Sequence, residues 1–230
     1  MRGRSQRSLP PQRILMKAFG STCCAFITIW AAAGIVALFV ASTPAIYQPI
    51  FGTPLKWVVI FAPLAFIFFL SFRIQTILAA TAQTLFWVFC ALMGLSLAVV
   101  FLVFTGTSIA RTFFITAAMF GATSLYGYTT RRDLSKFGSF LFMGLIGLVI
   151  ASLVNLLIGS SALQFLVSVV GVLVFTGLTA YDTQNIKEQF AEDFGSETNS
   201  KLAVWGALSL YLNFINIFQL LLNLTGDREA

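Results

Sequence analysis

Histidine is absent from the sequence, and charged residues occupy only 10% of its 230 positions. Without histidine the chain lacks the commonest metal ligand, the usual general base and the side chain that titrates near physiological pH. We therefore do not expect haem, catalytic zinc or Ser-His-Asp chemistry. A soluble domain normally carries about 25% charged residues. With so few polar groups the chain cannot cover a globule in water, and we expect a lipid bilayer to be its solvent.

Cysteine is also scarce, because the chain has only Cys23, Cys24 and Cys90. An odd number of cysteines in apolar surroundings argues against a disulfide framework, and we expect small buried hydrophobic side chains. The net charge is +6. It does not indicate a nucleic-acid partner, because the basic residues lie at the ends of apolar runs, where membrane topology explains them. We expect no cofactor.

Long apolar runs fill most of the chain, and hydrophobic residues make up 58% of it. They predict an all-α integral membrane protein, with a basic tail over residues 1–17 and a single seven-helix transmembrane domain over residues 18–230. The predicted spans cover about residues 22–42, 55–72, 84–104, 109–128, 137–158, 162–182 and 202–224. No long polar stretch is available for a separate soluble domain.

Turn-forming and polar residues separate the spans. Pro44, Pro49, Gly52 and Pro54 predict a turn after span 1, and Pro63 predicts a kink in span 2. Further on, we predict a short link at 105–108, loops or turns at 129–133 and 159–161, and a polar loop at 185–200.

The distribution of basic residues predicts the orientation. With a cytoplasmic N-terminus, 11 of the 14 basic residues fall on the inner side, as the positive-inside rule requires. Seven spans then place the C-terminus outside, whereas six spans with a re-entrant end remain the main alternative. The inner residues are Arg2, Arg4, Arg7, Arg13, Lys17, Arg73, Arg131, Arg132, Lys136, Lys187 and Lys201, and the outer ones are Lys56, Arg111 and Arg228.

One acidic residue differs from the other seven, which all fall in predicted loops or tails. Asp182 lies at the predicted end of span 6, in the sequence Tyr181-Asp182-Thr183-Gln184. A carboxylate there is costly unless it meets a partner or water. It could face the headgroups, or it could face the bundle interior, where it would pair with a cation or bind one. The sequence leaves both interpretations open.

Span 7 carries a polar stripe within an apolar helix. Ser209, Asn213, Asn216, Gln219 and Asn223 recur at intervals of 4, 3, 3 and 4, which places them on one helix face. Such a face turns away from lipid. It could serve helix-to-helix hydrogen bonding or line a pore, where its oxygen atoms would suit a hard cation such as calcium. Arg73, at the inner end of span 2, could pair with Asp182 or extend to the interface.

Three segments carry a resemblance to a known family. They are FGATSLYGYTTRRD at 120–133, LTAYDTQNIK at 178–187 and LSLYLNFINIFQLLLNL at 208–224. Together they resemble the Bax inhibitor-1 family, and most closely its bacterial YccA-like branch. The resemblance covers spans 3 to 7, and covers spans 1 and 2 only in layout.

The resemblance implies a seven-helix bundle with span 7 at its centre. It also implies a pH-sensitive calcium leak channel, or a suppressor of cell death or modulator of membrane proteolysis. In the family pattern two aspartates share a proton. Asp182 matches the first, but Asn213 stands at the second position, so like-charge repulsion between two acids is absent here. The family's arginine latch would fall on Arg73.

We therefore expect a calcium or cation leak pathway with weak or shifted pH dependence, involving Asp182, Asn213, Arg73 and Asn216, with Asp182 as the cation contact. The alternative is a non-conducting regulator that binds membrane proteins, such as a membrane protease complex, through its basic tail, or suppresses stress or cell death. We do not expect an enzyme, because intramembrane aspartyl chemistry needs two carboxylates. The resemblance places the chain in a bacterial inner membrane, and leaves the partner and the oligomeric state open.

Overall fold

The computed structural model of the chain describes residues 27–28, 31–56, 58–59, 62–63, 65–66, 69, 79–191 and 196–228. Apart from an isolated bridge between Phe104 and Arg228, the regular structure in these residues is helical. The described residues from 55 to 69 are helical as well. The other helices are α1 (Ala31–Ser42), α2 (Pro44–Phe51), α3 (Ala79–Val103), α4 (Gly106–Thr129), α5 (Ser135–Ile158), α6 (Ser161–Ala191) and α7 (Ser196–Thr225).

Five of these helices, α3 to α7, are long and apolar enough to cross a membrane. They correspond to predicted spans 3 to 7, so the prediction of an all-α, membrane-spanning protein is confirmed. Helices α1 and α2 would count as a sixth span only if they cross together, and they meet at an angle of 90°.

Helix α7 lies at the centre of the bundle. It packs against α3, α4 and α6, while α4 also packs against α6, and α5 joins the bundle through α6. The main core forms where α7 meets α3 and α1. Its buried side chains are Ala33, Ala37, Phe86, Phe89, Cys90, Met93, Leu97, Phe104, Ala207, Leu208, Tyr211, Phe214, Ile215, Phe218 and Leu222. This arrangement fits the expectation that span 7 is central.

The short connections between helices have simple local causes. Thr105 caps α4, because its side chain accepts a hydrogen bond from the backbone N–H of Ser108 at 3.4 Å. Gly159 ends α5 with φ at +68°, a left-handed conformation that glycine adopts without strain. The predicted link at 105–108 is therefore shorter than expected, since α4 begins at Gly106.

The predicted polar loop at 185–200 is wrong for the residues that the structure describes. Helix α6 continues to Ala191 and α7 already begins at Ser196. Only residues 192–195 of this segment lie outside the described part of the chain. A drop in hydrophobicity marked the end of the apolar span, but Lys, Glu, Gln and Ala are good helix formers and continue the helix beyond it.

The predicted turn at Pro44 to Pro54 is wrong for most of its length, because residues Pro44–Phe51 form α2. Proline is tolerated in the first turn of a helix, where its missing N–H would have no partner. The chain still changes direction, and it does so between α1 and α2.

Several residues singled out from the sequence lie outside the described part of the structure. They are Arg73, Cys23, Cys24 and the tail at 1–17. Cys90 is a free and buried cysteine in the core of the bundle.

Candidate functional site

Asp182 lies within α6 and not at its end. The helix runs for nine residues beyond it, to Ala191, which corresponds to about 13 Å along the axis. The carboxylate is partly buried. The prediction that the helix ends near Asp182 is therefore wrong, and its side chain belongs to the interior of the helical packing.

The Asp182 carboxylate joins α6 to α7. Its Oδ2 atom accepts a hydrogen bond from Ser209 Oγ at 2.5 Å and another from Asn213 Nδ2 at 2.7 Å. The two donors are four residues apart, so they stand one above the other on the same face of α7. Hydrogen bonds to an ionised acceptor are stronger than those between neutral groups. These two hydrogen bonds offset part of the free-energy cost of removing a carboxylate from water at this position.

The four residues from Tyr181 to Gln184 each contact a different part of the structure. The Tyr181 ring lies against Gly138 of α5, where an added Cβ would stand 2.6 Å from it. Thr183 is fully buried and donates to the carbonyl of Thr179 in its own helix at 2.8 Å. With Asp182 directed to α7, one helical turn thus fixes α6 against its neighbours.

Gln184 holds the loop between α4 and α5, residues 130–134, which we call the arginine loop. Its Nε2 donates to the carbonyl of Arg132 at 2.8 Å, and its Oε1 accepts from the N–H of Leu134 at 2.9 Å. Both polar atoms of one amide therefore bind loop backbone on the two sides of Asp133.

Lys187 supplies a second anchor, one turn further along α6. Its ammonium donates to the carbonyl of Tyr128 at 2.7 Å and lies 4.9 Å from the centre of the Tyr128 ring. The last carbonyls of a helix lack partners within it, so a lysine there satisfies one of them. These contacts explain why α6 stays ordered beyond its apolar span.

Helices α4 and α6 approach each other closely just before Asp182. An added Cβ at Gly127 would lie 2.9 Å from Ala180 Cα and would overlap the Ala180 carbonyl oxygen. Only glycine allows this separation of the two backbones. The contact fixes the position of α6 two residues before the carboxylate.

The remaining predicted site residues lie elsewhere. Asn216 donates to the carbonyl of Leu212 in its own helix at 2.7 Å, so its amide does not reach Asp182. Of the predicted stripe on α7, Ser209 and Asn213 contact the carboxylate, while Asn223 is exposed. Arg73 lies outside the described residues, and its relation to Asp182 stays a prediction.

Ser209 belongs to the predicted polar stripe on α7, but the sequence did not assign it to the site around Asp182. Its spacing of four residues from Asn213 is the signal that would have done so. Gln184 and Lys187 were also missed as anchors, although both belong to the segment that carries the family resemblance. Their partners are backbone atoms 50 or more residues away, which no local pattern identifies.

The opposite end of the bundle is joined by the residues that follow α7. Thr105 N–H donates to the Asp227 carbonyl at 3.1 Å, and Asp227 N–H donates to Ser108 Oγ at 3.0 Å. The Ser108 hydroxyl lies 3.3 Å from Asp227 Oδ2, to which it donates. The residues after α7 thereby hold the first turn of α4.

Comparison with known proteins decides the family. The family described as "Inhibitor of apoptosis-promoting Bax1" matches residues 11–230. The chain belongs to the Bax inhibitor-1 family. The match extends beyond spans 3 to 7, where the motifs carry the resemblance, and includes the first two predicted spans. The chain is a multi-pass integral membrane protein.

Relatives of this Bax inhibitor-1 family member occur in several bacteria. An uncharacterized protein of Rickettsia prowazekii is 45% identical over 220 residues, covering 95% of this chain and 91% of the relative. The inner membrane protein YbhL of Escherichia coli is 47% identical over 197 residues, covering 84% of each chain. An uncharacterized protein of Caulobacter vibrioides is 46% identical over 206 residues, covering 85% of this chain and 82% of the relative.

The donor set around Asp182 limits how this family member could hold a cation. Within the described residues, no three or more Cys, Asp and Glu side chains are grouped as a metal site would require. A cation at this position would meet one carboxylate with the neutral Ser209 hydroxyl oxygen beside it, because Asn213 turns its amide nitrogen to Asp182. Such oxygen ligands suit calcium, and a single charge favours weak and reversible binding.

Proposed function

We propose that this protein is a cation leak channel of the bacterial inner membrane, with calcium among its permeant ions and Asp182 as the residue that tunes the flux. The two hydrogen bonds that Asp182 Oδ2 accepts from Ser209 and Asn213 are the observation on which the proposal rests. The family membership and the inner-membrane relative YbhL support the setting. The proposal includes seven spans and a cytoplasmic N-terminus, and it assigns no catalytic role.

The bonds to Asp182 give a physical basis for gating. They join α6 to α7, the central helix, so the two helices cannot separate at this level while both bonds persist. A cation that reaches the carboxylate attracts the same oxygen that accepts these bonds. Binding of the cation would therefore release the two donors, and α6 could shift against α7. We propose that this shift admits ions along the α7 face.

The neutral Asn213 sets the expected pH dependence. A pair of acids in contact titrates as a unit, because the second charge repels the first. Asn213 contributes no charge, so Asp182 has no acidic partner at that position. We expect the flux of the natural protein to change only weakly with pH across the neutral range.

Calcium flux into proteoliposomes that contain the purified full chain tests the proposal. Four proteins are compared at several pH values: the natural protein, Asp182→Asn, Asn213→Asp and Asp227→Asn. We expect Asp182→Asn to change the rate or its pH profile. Asn213→Asp creates two carboxylates in contact and should make the flux depend more steeply on pH. Asp227→Asn removes the same charge at the opposite end and is the matched control.

Two results would contradict the proposal. If the natural protein leaks no more than empty liposomes, it is not a channel, and binding to membrane proteins through the tail at 1–17 becomes the function to pursue. If a steep pH response exists and survives in Asp182→Asn, Asp182 is not the tuning residue. The variant Arg73→Gln tests the predicted latch in the same assay, with an altered rate as the expected result.

A further inference from the structure

The arginine loop and the first turn of α5 present a positively charged surface. Arg131, Arg132 and Lys136, the last in the first turn of α5, are all exposed. None of these three side chains forms an ion pair or hydrogen bond with another residue in the part of the chain that the structure describes. Topology explains why such residues stay on one side of a membrane, but not why the loop that carries them is held so firmly.

The order of the arginine loop comes from several separate bonds. Gln184 binds the loop backbone on both sides of Asp133. Within the loop, Thr130 Oγ1 accepts from the N–H of Arg132 at 3.3 Å, and Asp133 Oδ1 accepts from the N–H of Ser135 at 2.9 Å. A loop fixed in this way presents its two guanidinium groups with little backbone entropy to lose on binding. An ordered backbone that carries exposed cations favours the binding of an anionic ligand.

Among the side chains that the structure describes, the two acidic residues of this region, Asp133 and Glu188, are outnumbered by Arg131, Arg132 and Lys136. Asp133 lies in the loop itself, and one of its oxygens already binds the Ser135 N–H. Glu188 is exposed on α6, one residue beyond Lys187. Lys187 is directed to the end of α4. The exposed loop and the first turn of α5 therefore combine Arg131, Arg132 and Lys136 with Asp133, and their net charge is positive.

The surface next to these cations is apolar and belongs to the membrane. Lys136 and Phe140 are four residues apart on α5, so they share a helix face. Phe140 is 71% exposed and Phe137 is 63% exposed. Helix α5 continues from there as a lipid-exposed span with few buried side chains. A ligand that contacts both the basic side chains and the apolar face of α5 would have an anionic headgroup attached to an apolar chain.

We propose that the arginine loop and Lys136 form a binding site for the headgroup of an anionic phospholipid, with the acyl chains along the exposed face of α5. Arginine forms paired hydrogen bonds to phosphate oxygens, and the two loop arginines directly follow α4, a helix of membrane-spanning length. Gln184 is a positioning residue for this site, because it binds only the loop backbone. The inference does not depend on ion conduction.

Spin-labelled lipids test the site in the full chain. The protein is reconstituted in phosphatidylcholine vesicles with a trace of spin-labelled phosphatidylglycerol or spin-labelled phosphatidylcholine, and electron paramagnetic resonance gives the fraction of label immobilised by the protein. The ratio of the two association constants measures the preference for the anionic lipid. We expect a ratio of about three or more for the natural protein, and a decrease towards unity in Arg131→Gln/Arg132→Gln.

The matched control removes two charges from the opposite side of the predicted topology, in Lys56→Gln/Arg111→Gln. We expect this control to keep the natural ratio. Gln184→Ala keeps every charge and should lower the ratio by a smaller amount, a result that charge alone would not produce. Because only the exposed arginine side chains change, the double variant should fold, and its circular dichroism and elution volume should match those of the natural protein.

Three results would overturn the inference. The first is an unchanged ratio in Arg131→Gln/Arg132→Gln. The second is an equal decrease in the control variant, which would assign the preference to total charge. The third is loss of the preference when excess inorganic phosphate is added but not when sodium chloride of the same ionic strength is added, which would assign the site to a free anion. A failure of calcium flux would leave the lipid ratios unaffected, so the two proposals fail separately.

Discussion

Helices α5 and α7 are both long apolar helices, yet they occupy opposite environments. In the apolar stretch of each helix, 56% of the residues are buried in α7 and only 6% in α5. Helix α7 carries the polar residues Ser209, Asn213 and Asn216, whereas the same stretch of α5 has few polar side chains. The more polar helix is therefore the central one.

This order reverses the one found in water. Lipid is as apolar as a leucine side chain, so α5 gains little by burying its surface. A polar side chain in the hydrocarbon region needs a partner, and α7 finds partners only inside the bundle. The face of α5 that does turn inward is marked by Gly138, which meets Tyr181, and by Leu148 near Gly171. Whether a helix lies at the centre or the edge of this bundle is thus determined by its polar and small residues, and not by its hydrophobicity.

The largest expected effect comes from removing one aromatic ring from each helix. Phe214 of α7 is 3% exposed and packs against Phe120 and Phe113, with ring centres 5.3 and 5.7 Å away. Phe214→Ala leaves a cavity and should lower the free energy of unfolding by about 3 kcal/mol or more. Phe140→Ala on α5 makes the same chemical change on a lipid-exposed surface and should cost less than about 1 kcal/mol.

Unfolding of both variants in mixed micelles, followed by circular dichroism, measures the difference. If Phe140→Ala lowers the free energy of unfolding as much as Phe214→Ala does, Phe140 packs against protein and does not face lipid. That result would break the comparison between the two helices.

A smaller effect is expected from adding a single methyl group. Gly127→Ala places a carbon 2.9 Å from Ala180 Cα, so α4 and α6 must separate, at a cost of about 1–3 kcal/mol. Gly147→Ala on α5 is the control, because an added Cβ there has nothing within 4 Å. Thermal unfolding in detergent should show a lower midpoint for the first variant only. A midpoint for Gly127→Ala as high as that of the control would contradict the close approach of α4 and α6.

The smallest effect concerns one hydroxyl group. Ser209→Ala removes one of the two bonds to Asp182 and should cost about 1 kcal/mol, since hydrogen bonds within membranes are modest in strength. Ser139→Ala on α5, at an exposed position, should have almost no effect. The same unfolding assay measures both. If Ser209→Ala leaves the stability unchanged, the hydrogen bond from Asn213 alone is enough to hold the carboxylate.

Much of the helical arrangement could be predicted from the sequence. Apolar runs identified all five helices from α3 to α7 and placed both ends of α4 and α5 within three residues, because span length is set by membrane thickness. Helix ends beyond the apolar runs could not be placed. Residues 185–191 stay helical, and Gln184 and Lys187 hold this part of α6 by binding backbone atoms 50 to 59 residues away in sequence. The hydrophobic pattern of the sequence does not predict such contacts.

The candidate site was predictable in part. The residue types and spacing on span 7 indicated a polar face, and the family resemblance paired Asp182 with Asn213, which the structure places 2.7 Å apart. Spacing alone could not separate Ser209 from Asn216, because both lie on the same broad face. The difference depends on how α6 crosses α7. The sequence also could not tell which glycines lie at helix contacts. Gly127 lies at a close contact, whereas an added Cβ at Gly121 or Gly147 would have no atom within 4 Å.

The length of α6 has a mechanical consequence. The contact between Gly127 and Ala180 can act as a fulcrum, with Asp182 about 3 Å beyond it and Ala191 about 16 Å beyond it along the axis. The helix is then a lever with a ratio of about five. A sideways displacement of the far end by several ångströms is reduced to about one ångström at the carboxylate. That distance is enough to break a hydrogen bond. Because Gln184 and Lys187 lie between Asp182 and the end of α6 and bind the arginine loop and the end of α4, a force at the end of α6 moves the carboxylate only after those bonds break.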